Sequence, residues 1–393
     1  MNSKLNELTT MFKSHIRDYG MYIALGGIML IFSILSRGLF LSPRVLSDLM
    51  DMTGYIAVLA VGMTLVIVIR HIDLSVGSVA GFLGAVAAIL SSKVGLPIYV
   101  IIPLVMLIGI ALGMLNGYVV AKLGVPAFVV TLAGMLFFRG ALINVSHSET
   151  IFTGNEVFNA IGNGFIPDIM HIEGFHVLTF LIGVVGVIGY IYTQIKNRKK
   201  KQEYGLDVPS NFVFNFGMVL VSVVVMYFVF KISVYKGLSW TMVIVGIVVA
   251  VYHFITTNTI LGRHIYAVGG NPEAAELSGI SVNYITFVVF GSMTMLAALS
   301  GILFTARLQS AAPTAGNLFE LDAIAGAYVG GVSAGGGVGK VTGSLIGALV
   351  MASLTKGMDL MNVGVSYQYM IRGLVLVAAV VFDVRTRNMK KNN

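Results

Sequence analysis

The chain has 393 residues, of which 57% are hydrophobic and only 11% are charged. A water-soluble domain carries roughly 25% charged residues, so this composition excludes a soluble globular protein. A membrane-spanning helix needs about 20 apolar residues, and the chain could therefore supply about a dozen crossings. Cysteine is absent, which excludes disulfides, thiolate metal sites and cysteine nucleophiles.

The net charge of +8 is concentrated next to apolar segments. Lys and Arg in this position are typical of cytoplasmic loops, because such loops resist translocation. The distribution therefore indicates a membrane protein with no nucleic-acid partner. The two basic groups are Lys196, Arg198, Lys199, Lys200 and Lys201, and then Arg385, Arg387, Lys390 and Lys391.

Twelve apolar segments are predicted to cross the membrane as helices. The fold class is therefore an all-α polytopic membrane protein of about 10–12 helices, with two loosely related halves. The first segment has no cleavage pattern after it and is predicted to be retained. The tenth is short and glycine-rich, which predicts a re-entrant or broken helix. The segments are 21–40, 50–69, 75–91, 98–120, 127–145, 175–195, 212–230, 239–255, 284–305, 321–334, 343–355 and 369–384.

An even number of spans leaves both termini on one side, and the basic tail predicts that this side is the cytoplasm. Five spans precede residues 146–174, a stretch that contains four acidic residues and no Lys or Arg, so it is predicted to be external. The predicted segments are a cytoplasmic N-terminal segment at 1–20, a transmembrane domain at 21–384 with cytoplasmic loops at 196–211 and 256–283, and a cytoplasmic tail at 385–393.

Glycine is concentrated in two regions: one face of the third span, and residues 326–347. Two interpretations remain open. Small residues allow helices to approach closely in lipid, and glycines can also break helices and expose backbone groups to a transport pathway.

The sequence offers no catalytic or metal site. Residues 335–341 superficially resemble a phosphate-binding loop, but Ala334 replaces the required glycine and Val341 replaces the hydroxyl that would hold magnesium. No two histidines have the i, i+4 spacing of a metal pair. If nucleotide drives the protein, another polypeptide must bind it.

Ionisable residues next to apolar spans are costly in lipid and therefore mark candidate functional positions. Asp73 precedes the third span, and Glu320 and Asp322 begin the tenth. Each carboxylate could cap the helix that it precedes, because it can accept from free backbone N–H groups, or it could line a pathway. Arg139, late in the fifth span, could reach water or form a buried ion pair.

A polar loop between the eighth and ninth spans predicts a short helix that is capped at both ends. Asn271 can cap it, Pro272 suits its first position, Glu273 is favourable in the first turn, and Gly279 can end it. Such a helix is too short to be stable alone. We therefore expect it to lie between two spans on the cytoplasmic face and to dock into a partner's groove.

This loop resembles the EAA motif of ABC importer permeases, through Glu273-Ala274-Ala275 and, three residues later, Gly279. Residues 72–78, 126–135 and 320–325 resemble the ribose/xylose/galactose branch of monosaccharide permeases. The long region 146–240 is most similar to xylose and multiple-monosaccharide permeases. Four such stretches in family order make the resemblance specific.

The resemblance implies a permease subunit of an ATP-driven importer of monosaccharides in the bacterial cytoplasmic membrane. It implies no cofactor in this chain, with ATP and Mg bound by a partner ATPase that carries two fused nucleotide-binding domains. A second permease copy and an extracytoplasmic sugar-binding protein would complete the complex in the lipid. The implied ATPase-coupling residues are Asn271, Pro272, Glu273, Ala274, Ala275, Ser278 and Gly279.

A neutral sugar requires hydroxyl-matching groups, and the candidate pathway or gate residues are Asp73, Ser75, Ser78, Thr131, Asn144, Glu320 and Asp322. The alternative is a proton- or sodium-coupled secondary transporter, which needs an acidic residue in the middle of a span. Asp73 and Asp322 are the candidates, and both are predicted at span ends. Glycine-studded segments at 77–81 and 343–347 suggest equivalent positions in the two halves.

Overall fold

The computed structural model describes residues 16–206 and 208–391. Most of the predicted N-terminal segment 1–20 and the last two residues of the predicted tail therefore lie outside the described residues. Within the described ranges, the elements are α1 (Ile16–Leu35), a 3-10 turn (Leu39–Leu41), α2 (Pro43–Val68), α3 (Val76–Ser92), α4 (Ile98–Leu123), α5 (Ala127–Ser146), β1 (Ile151–Phe152), α6 (Glu156–Asn163), β2 (His171–Ile172), β3 (Phe175–His176), α7 (Val177–Glu203), α8 (Asn211–Ser233), α9 (Trp240–Asn258), α10 (Ile260–Gly270), α11 (Pro272–Leu277), α12 (Val282–Leu308), β4 (Ser310–Ala311), α13 (Phe319–Val329), α14 (Val341–Leu360) and α15 (Val365–Lys391).

The predicted all-α polytopic fold class is confirmed. Nine helices in the described ranges are long and apolar enough to cross a membrane, namely α2, α4, α5, α7, α8, α9, α12, α14 and α15. Two shorter apolar helices are Gly20–Leu35 within α1, and α3. The tenth predicted span contains only the 11-residue α13. At 1.5 Å per residue such a helix covers about half of a hydrocarbon core.

The helix ends lie on two faces of the molecule. The α11 face carries α11 together with the end of α2, where Gly337 N donates to Val68 O at 2.8 Å. The far face carries the other end of α2, where Asp48 pairs with Arg307 and Lys356, at the ends of α12 and α14. Two strand pairs also lie at the far face, β1 with β4 and β2 with β3.

The helices from α2 to α5 are repeated, with reversed direction, as α12 to α15. α3 packs on α12, where Gly84 lies against Gly301, and α13 packs on α2, where Gly326 lies against Ala60. Likewise α4 packs on α12, and α14 packs on α2. This arrangement is an inverted repeat of the kind found in transporters.

The repeat changes one expectation. Residues 77–81 begin α3, but the counterpart of α3 is α13, whereas residues 343–347 begin α14. The predicted equivalence of these two glycine-studded segments is therefore wrong. Both are rich in glycine because each crosses a neighbouring backbone closely: Gly81 crosses the segment at Ala315, and Gly347 crosses α13 at Gly326.

α3, with 17 residues, and α13, with 11, are shorter than the nine membrane-length helices, and their N-termini lie inside the bundle; we call them half-helices. The segments that lead into them, residues 69–75 and 309–318, enter from the α11 face and the far face respectively. The two N-termini meet where Gly316, at φ 72°, lies against the carbonyl of Gly77. The glycines here therefore allow close packing, and both helices are interrupted inside the bundle.

Replacing Gly316 with Ala should destabilise this crossing. The added Cβ would overlap Gly77 O and lie 3.0 Å from Gly81 N, and the positive φ adds backbone strain. We expect the free energy of unfolding to fall by about 2–4 kcal/mol, measured as thermal unfolding in detergent.

Gly140→Ala in α5 is the matched control, because a Cβ there would meet no atom within 4 Å. Equal stability of the two variants would contradict the close contact at the crossing.

Candidate transport site and coupling surface

α11 has the caps that the sequence predicts. Asn271 Oδ1 accepts from Ala274 N at 3.1 Å, and Pro272 occupies the first helical position. At the other end Gly279 adopts φ 82°. Ile280 N donates to Ala275 O and Gly279 N donates to Glu276 O, which together form a Schellman motif. The short helix is therefore fixed at both ends by its own sequence.

The two sides of α11 have opposite environments. Ala275 is only 4% exposed and packs into the core, whereas Leu277 is 91% exposed. Glu273, Ala274 and Ser278 are also exposed. Ala275 thus anchors the helix, although the sequence grouped it with the partner-facing residues. Leu277 is a further exposed residue of α11 that is absent from the set implied by the resemblance.

Asp73 lies at the N-terminus of the half-helix α3 and is 0% exposed. Its Oδ1 accepts from Ser75 N at 2.9 Å and from Ser75 Oγ at 2.6 Å. Asp73 therefore fixes the turn before α3 by accepting from the N-cap residue, Ser75, whereas no side chain in the described ranges caps the first turn of the helix itself. Its second oxygen, Oδ2, has no hydrogen-bond partner among the described residues.

The two acidic residues of α13 have different partners. Glu320 is 7% exposed and lies against Gly77 of α3, and its Oε2 has no hydrogen-bond partner in the described part of the chain. Asp322 instead faces α15, where Arg372 Nη1 lies 3.3 Å from Asp322 Oδ2. Glu320 therefore belongs to the meeting point of the half-helices, and Asp322 belongs to an ion pair beside it.

Further polar groups surround this meeting point. Ser78 is buried with an unpartnered Oγ, and the Oγ1 of buried Thr131 lies 3.4 Å from Ile72 O. Asn116 of α4 is buried with an unpartnered Nδ2 beside Gly134. The sequence offers no local signal for Asn116, because a single amide in an apolar span forms no pattern. We call the set Asp73, Ser75, Ser78, Asn116, Thr131 and Glu320 the central junction.

Asn144 is not part of the central junction. It is exposed near the far-face end of α5. Arg139, on the same helix, reaches inward rather than to water, because its Nη1 donates to Ala315 O at 2.9 Å. It thereby holds the segment that leads into α13.

Buried polar atoms without partners are uncommon in proteins, and such an atom commonly bonds to water or a ligand. The central junction presents two carboxyl oxygens, one hydroxyl and one amide in this state. This mixed set of acceptors and donors suits the hydroxyl groups of a neutral polar solute. Among the described residues, no group of three His, Cys, Asp or Glu side chains could hold a metal ion.

At the far face, side-chain contacts join helices that are distant in sequence. Asp48 of α2 accepts from Arg307 at 2.5 Å and from Lys356. Asp51 accepts from Ser239, the N-cap residue of α9. Below them the Tyr55 ring lies 5.0 Å from the Phe304 and Phe319 rings. These contacts tie α2 to α9, α12, α13 and α14.

The chain has close relatives among characterised transport proteins. Residues 45–380 match the family described as branched-chain amino acid transport system / permease component. The xylose transport system permease protein of Escherichia coli K12 is 37% identical over 373 residues, covering 95% of this chain and 93% of that protein. The corresponding Haemophilus influenzae protein is 37% identical over 377 residues, covering 96% and 98%.

The ribose import permease protein of Escherichia coli K12 is 34% identical over 377 residues, covering 94% of this chain and 95% of that protein. No solved structure matches the chain. Since the family match and the relatives each span most of its length, the chain belongs to this family of ABC-transporter permease components, which carry no ATPase site of their own.

Proposed function

We propose that this permease forms the membrane pathway of an ATP-driven importer for monosaccharides, either xylose or several pentoses and hexoses. The relatives named for xylose and ribose support the substrate class. The central junction supports it chemically, because hydroxyl, amide and carboxyl groups match a neutral polyol.

The coupling partner is an ATPase subunit with two fused nucleotide-binding domains, which binds ATP and Mg. The observation that supports docking of this partner at α11 is Leu277, a 91% exposed leucine on a helix that is capped at both ends and anchored by Ala275. Exposed large apolar groups on an ordered surface are typical of protein interfaces. α11 is too small to serve the bundle by packing, so its exposed side fits a partner's groove.

Two further partners complete the proposed importer. A second permease copy pairs with this one, and an extracytoplasmic sugar-binding protein delivers substrate at the far face. In this arrangement both termini and the α11 face are cytoplasmic. The basic run at 196–201 lies at the α11-face end of α7, as the positive-inside rule requires of a cytoplasmic loop.

One observation favours a second candidate, a proton- or sodium-coupled secondary transporter. Asp73 and Glu320 lie at half-helix N-termini inside the bundle, where such transporters bind substrates and coupling ions. The exposed α11 has no role in that mechanism, and we therefore favour the importer.

The substrate class is tested by ATP hydrolysis in proteoliposomes that contain the permease, its ATPase and candidate binding proteins. We expect binding protein loaded with a pentose or hexose to stimulate hydrolysis, and binding protein loaded with leucine not to do so. Sugar uptake that persists without the ATPase and collapses with the proton gradient would establish the secondary transporter instead.

Leu277→Ser should weaken association with the ATPase by at least about tenfold, because buried apolar anchors at interfaces contribute about 2 kcal/mol or more. Co-purification and titration of the detergent-solubilised proteins measure this change. Leu206→Ser, which alters another exposed leucine on the loop after α7, is the matched control. If both variants bind the ATPase as the unsubstituted protein does, α11 is not the docking element.

Orientation can be measured by cysteine labelling, because the natural chain contains no cysteine. Val157→Cys, near residue 160 on the far-face helix α6, should react with an impermeant maleimide in intact cells. Lys200→Cys, at the α11-face end of α7, should react only after permeabilisation. Labelling of both positions from outside would overturn the span assignment, and the reversed pattern would overturn the orientation.

A further inference from the structure

α2 ends in a Schellman motif that has an arginine where glycine is usual. His71 N donates to Val66 O at 3.0 Å and Arg70 N donates to Ile67 O at 2.9 Å. Arg70 has a φ of 66°, in the left-handed region. A residue with a Cβ is strained there, so its side chain must provide a compensating interaction.

The Arg70 side chain caps a different helix. Its Nε donates to Gly269 O at 2.7 Å, and its Nη2 donates to Gly270 O. These glycines are the last residues of α10, whose terminal carbonyls have no partners within the helix. The guanidinium charge also suits the negative end of the helix dipole. α11 begins immediately afterwards, so Arg70 holds the base of α11.

The glycine-rich loop after α13 joins the same contact. Gly337 N donates to Val68 O of α2, and a Cβ on Gly337 would lie 2.9 Å from Gly270 N. At Gly336, with φ 77°, a Cβ would collide with the Arg70 side chain. The run that superficially resembles a phosphate-binding loop is therefore glycine-rich because three backbones meet there.

The loop is also tied to the neighbouring helices. Tyr266 of α10 donates through its hydroxyl to Gly339 O at 2.5 Å. On the other side Asp383 of α15 accepts from Ala334 N at 3.2 Å and from Ser333 Oγ at 3.2 Å. We call Arg70, Gly269, Gly270 and residues 334–340 the transmission joint.

The transmission joint connects α11 to both half-helices. Arg70 lies at the start of the segment that leads into α3, and residues 334–340 are separated from the end of α13 by only four residues. The N-termini of these two half-helices meet at the central junction, where Glu320 lies against Gly77. A displacement of α11 therefore reaches both sides of the junction through contacts that leave no room for a side chain.

We propose that Arg70 is a positioning residue that transmits the movement of α11 to α3 and α13, and so links ATP hydrolysis to opening of the central junction. This inference rests on the proposed function, since it needs an ATPase that moves α11. The proposed role differs from a purely structural one. A residue that only stabilises the fold would affect stability and assembly without changing how much substrate is transported per ATP hydrolysed.

Arg70→Gly isolates the side chain. Glycine keeps the left-handed turn without strain and removes the contacts to Gly269 and Gly270. In proteoliposomes with the ATPase and the binding protein, we expect the variant to assemble with the ATPase and still to hydrolyse ATP. The sugar transported per ATP hydrolysed should fall by at least about tenfold, as expected from the loss of charge-assisted hydrogen bonds.

Two further variants complete the test. Arg37→Gly is the matched control, because Arg37 also has a left-handed φ of 53°, is exposed, and lies at the far-face end of α1. It should leave the transport ratio unchanged. Arg70→Gln, which retains the stem beside Gly336 but not the charge, should lower the ratio by a smaller factor, and it carries the test if thermal unfolding shows that Arg70→Gly is destabilised.

The outcomes separate this inference from the proposed function. An unchanged ratio for the Arg70 variants would overturn the inference. Loss of ATPase association in those variants alone would also overturn it, since Arg70 would then only hold the docking surface. If the unsubstituted protein neither binds an ATPase nor shows ATP-dependent uptake, the proposed function itself fails.

Discussion

The structure depends on how two half-helices that begin inside the bundle satisfy their backbone groups. In lipid, unpaired N–H and C=O groups are costly, so interrupted helices persist only where protein surrounds the break. Here Asp73 accepts from Ser75 at the start of α3, and glycine contacts bring the start of α13 against α3. α2 and α12, which run in opposite directions, pack around these ends and enclose them.

The charged side chains near the break have related roles. Arg139 binds the carbonyl of Ala315, and Arg372 pairs with Asp322, so the segment before α13 and α13 itself are each held by a cation from a neighbouring helix. Charges inside a membrane protein are expensive unless they are paired. Glu320 and Asp73, by contrast, each retain an oxygen without a hydrogen-bond partner among the described residues. The central junction thereby differs from the paired groups of Arg139 and Arg372 beside it.

Local chemistry made part of this arrangement predictable from sequence. Hydropathy identified the spans, and cap residues identified α11 and the start of α3. The exposure of Leu277 also follows from helix geometry, because Ala275 and Leu277 lie on opposite sides of a helix, about 200° apart at 3.6 residues per turn. An anchored Ala275 therefore implies an exposed Leu277, but the sequence alone did not show which of the two was anchored.

The remaining contacts join residues too distant in sequence to leave a local pattern. Asp48 reaches Arg307 and Lys356, and Arg70 reaches Gly269, across separations of 259, 308 and 199 residues. The pairing of α3 with α13 was missed for the same reason, since the similar glycine spacing of 77–81 and 343–347 reflects close packing on different neighbours. Glycine spacing reports contact but not topological equivalence.

The two faces of the bundle are held by different physical means. At the far face the ties are ion pairs around Asp48, whose side chain is 38% exposed. Its partners Arg307 and Lys356 are only 20% and 19% exposed, so these ion pairs are partly shielded from water. At the α11 face three backbone segments are in direct contact around Gly269, Gly336 and Gly337. Close-packed contacts of this kind transmit strain between the segments. The α11 face is therefore joined by direct packing of backbones, and the far face by ion pairs between side chains.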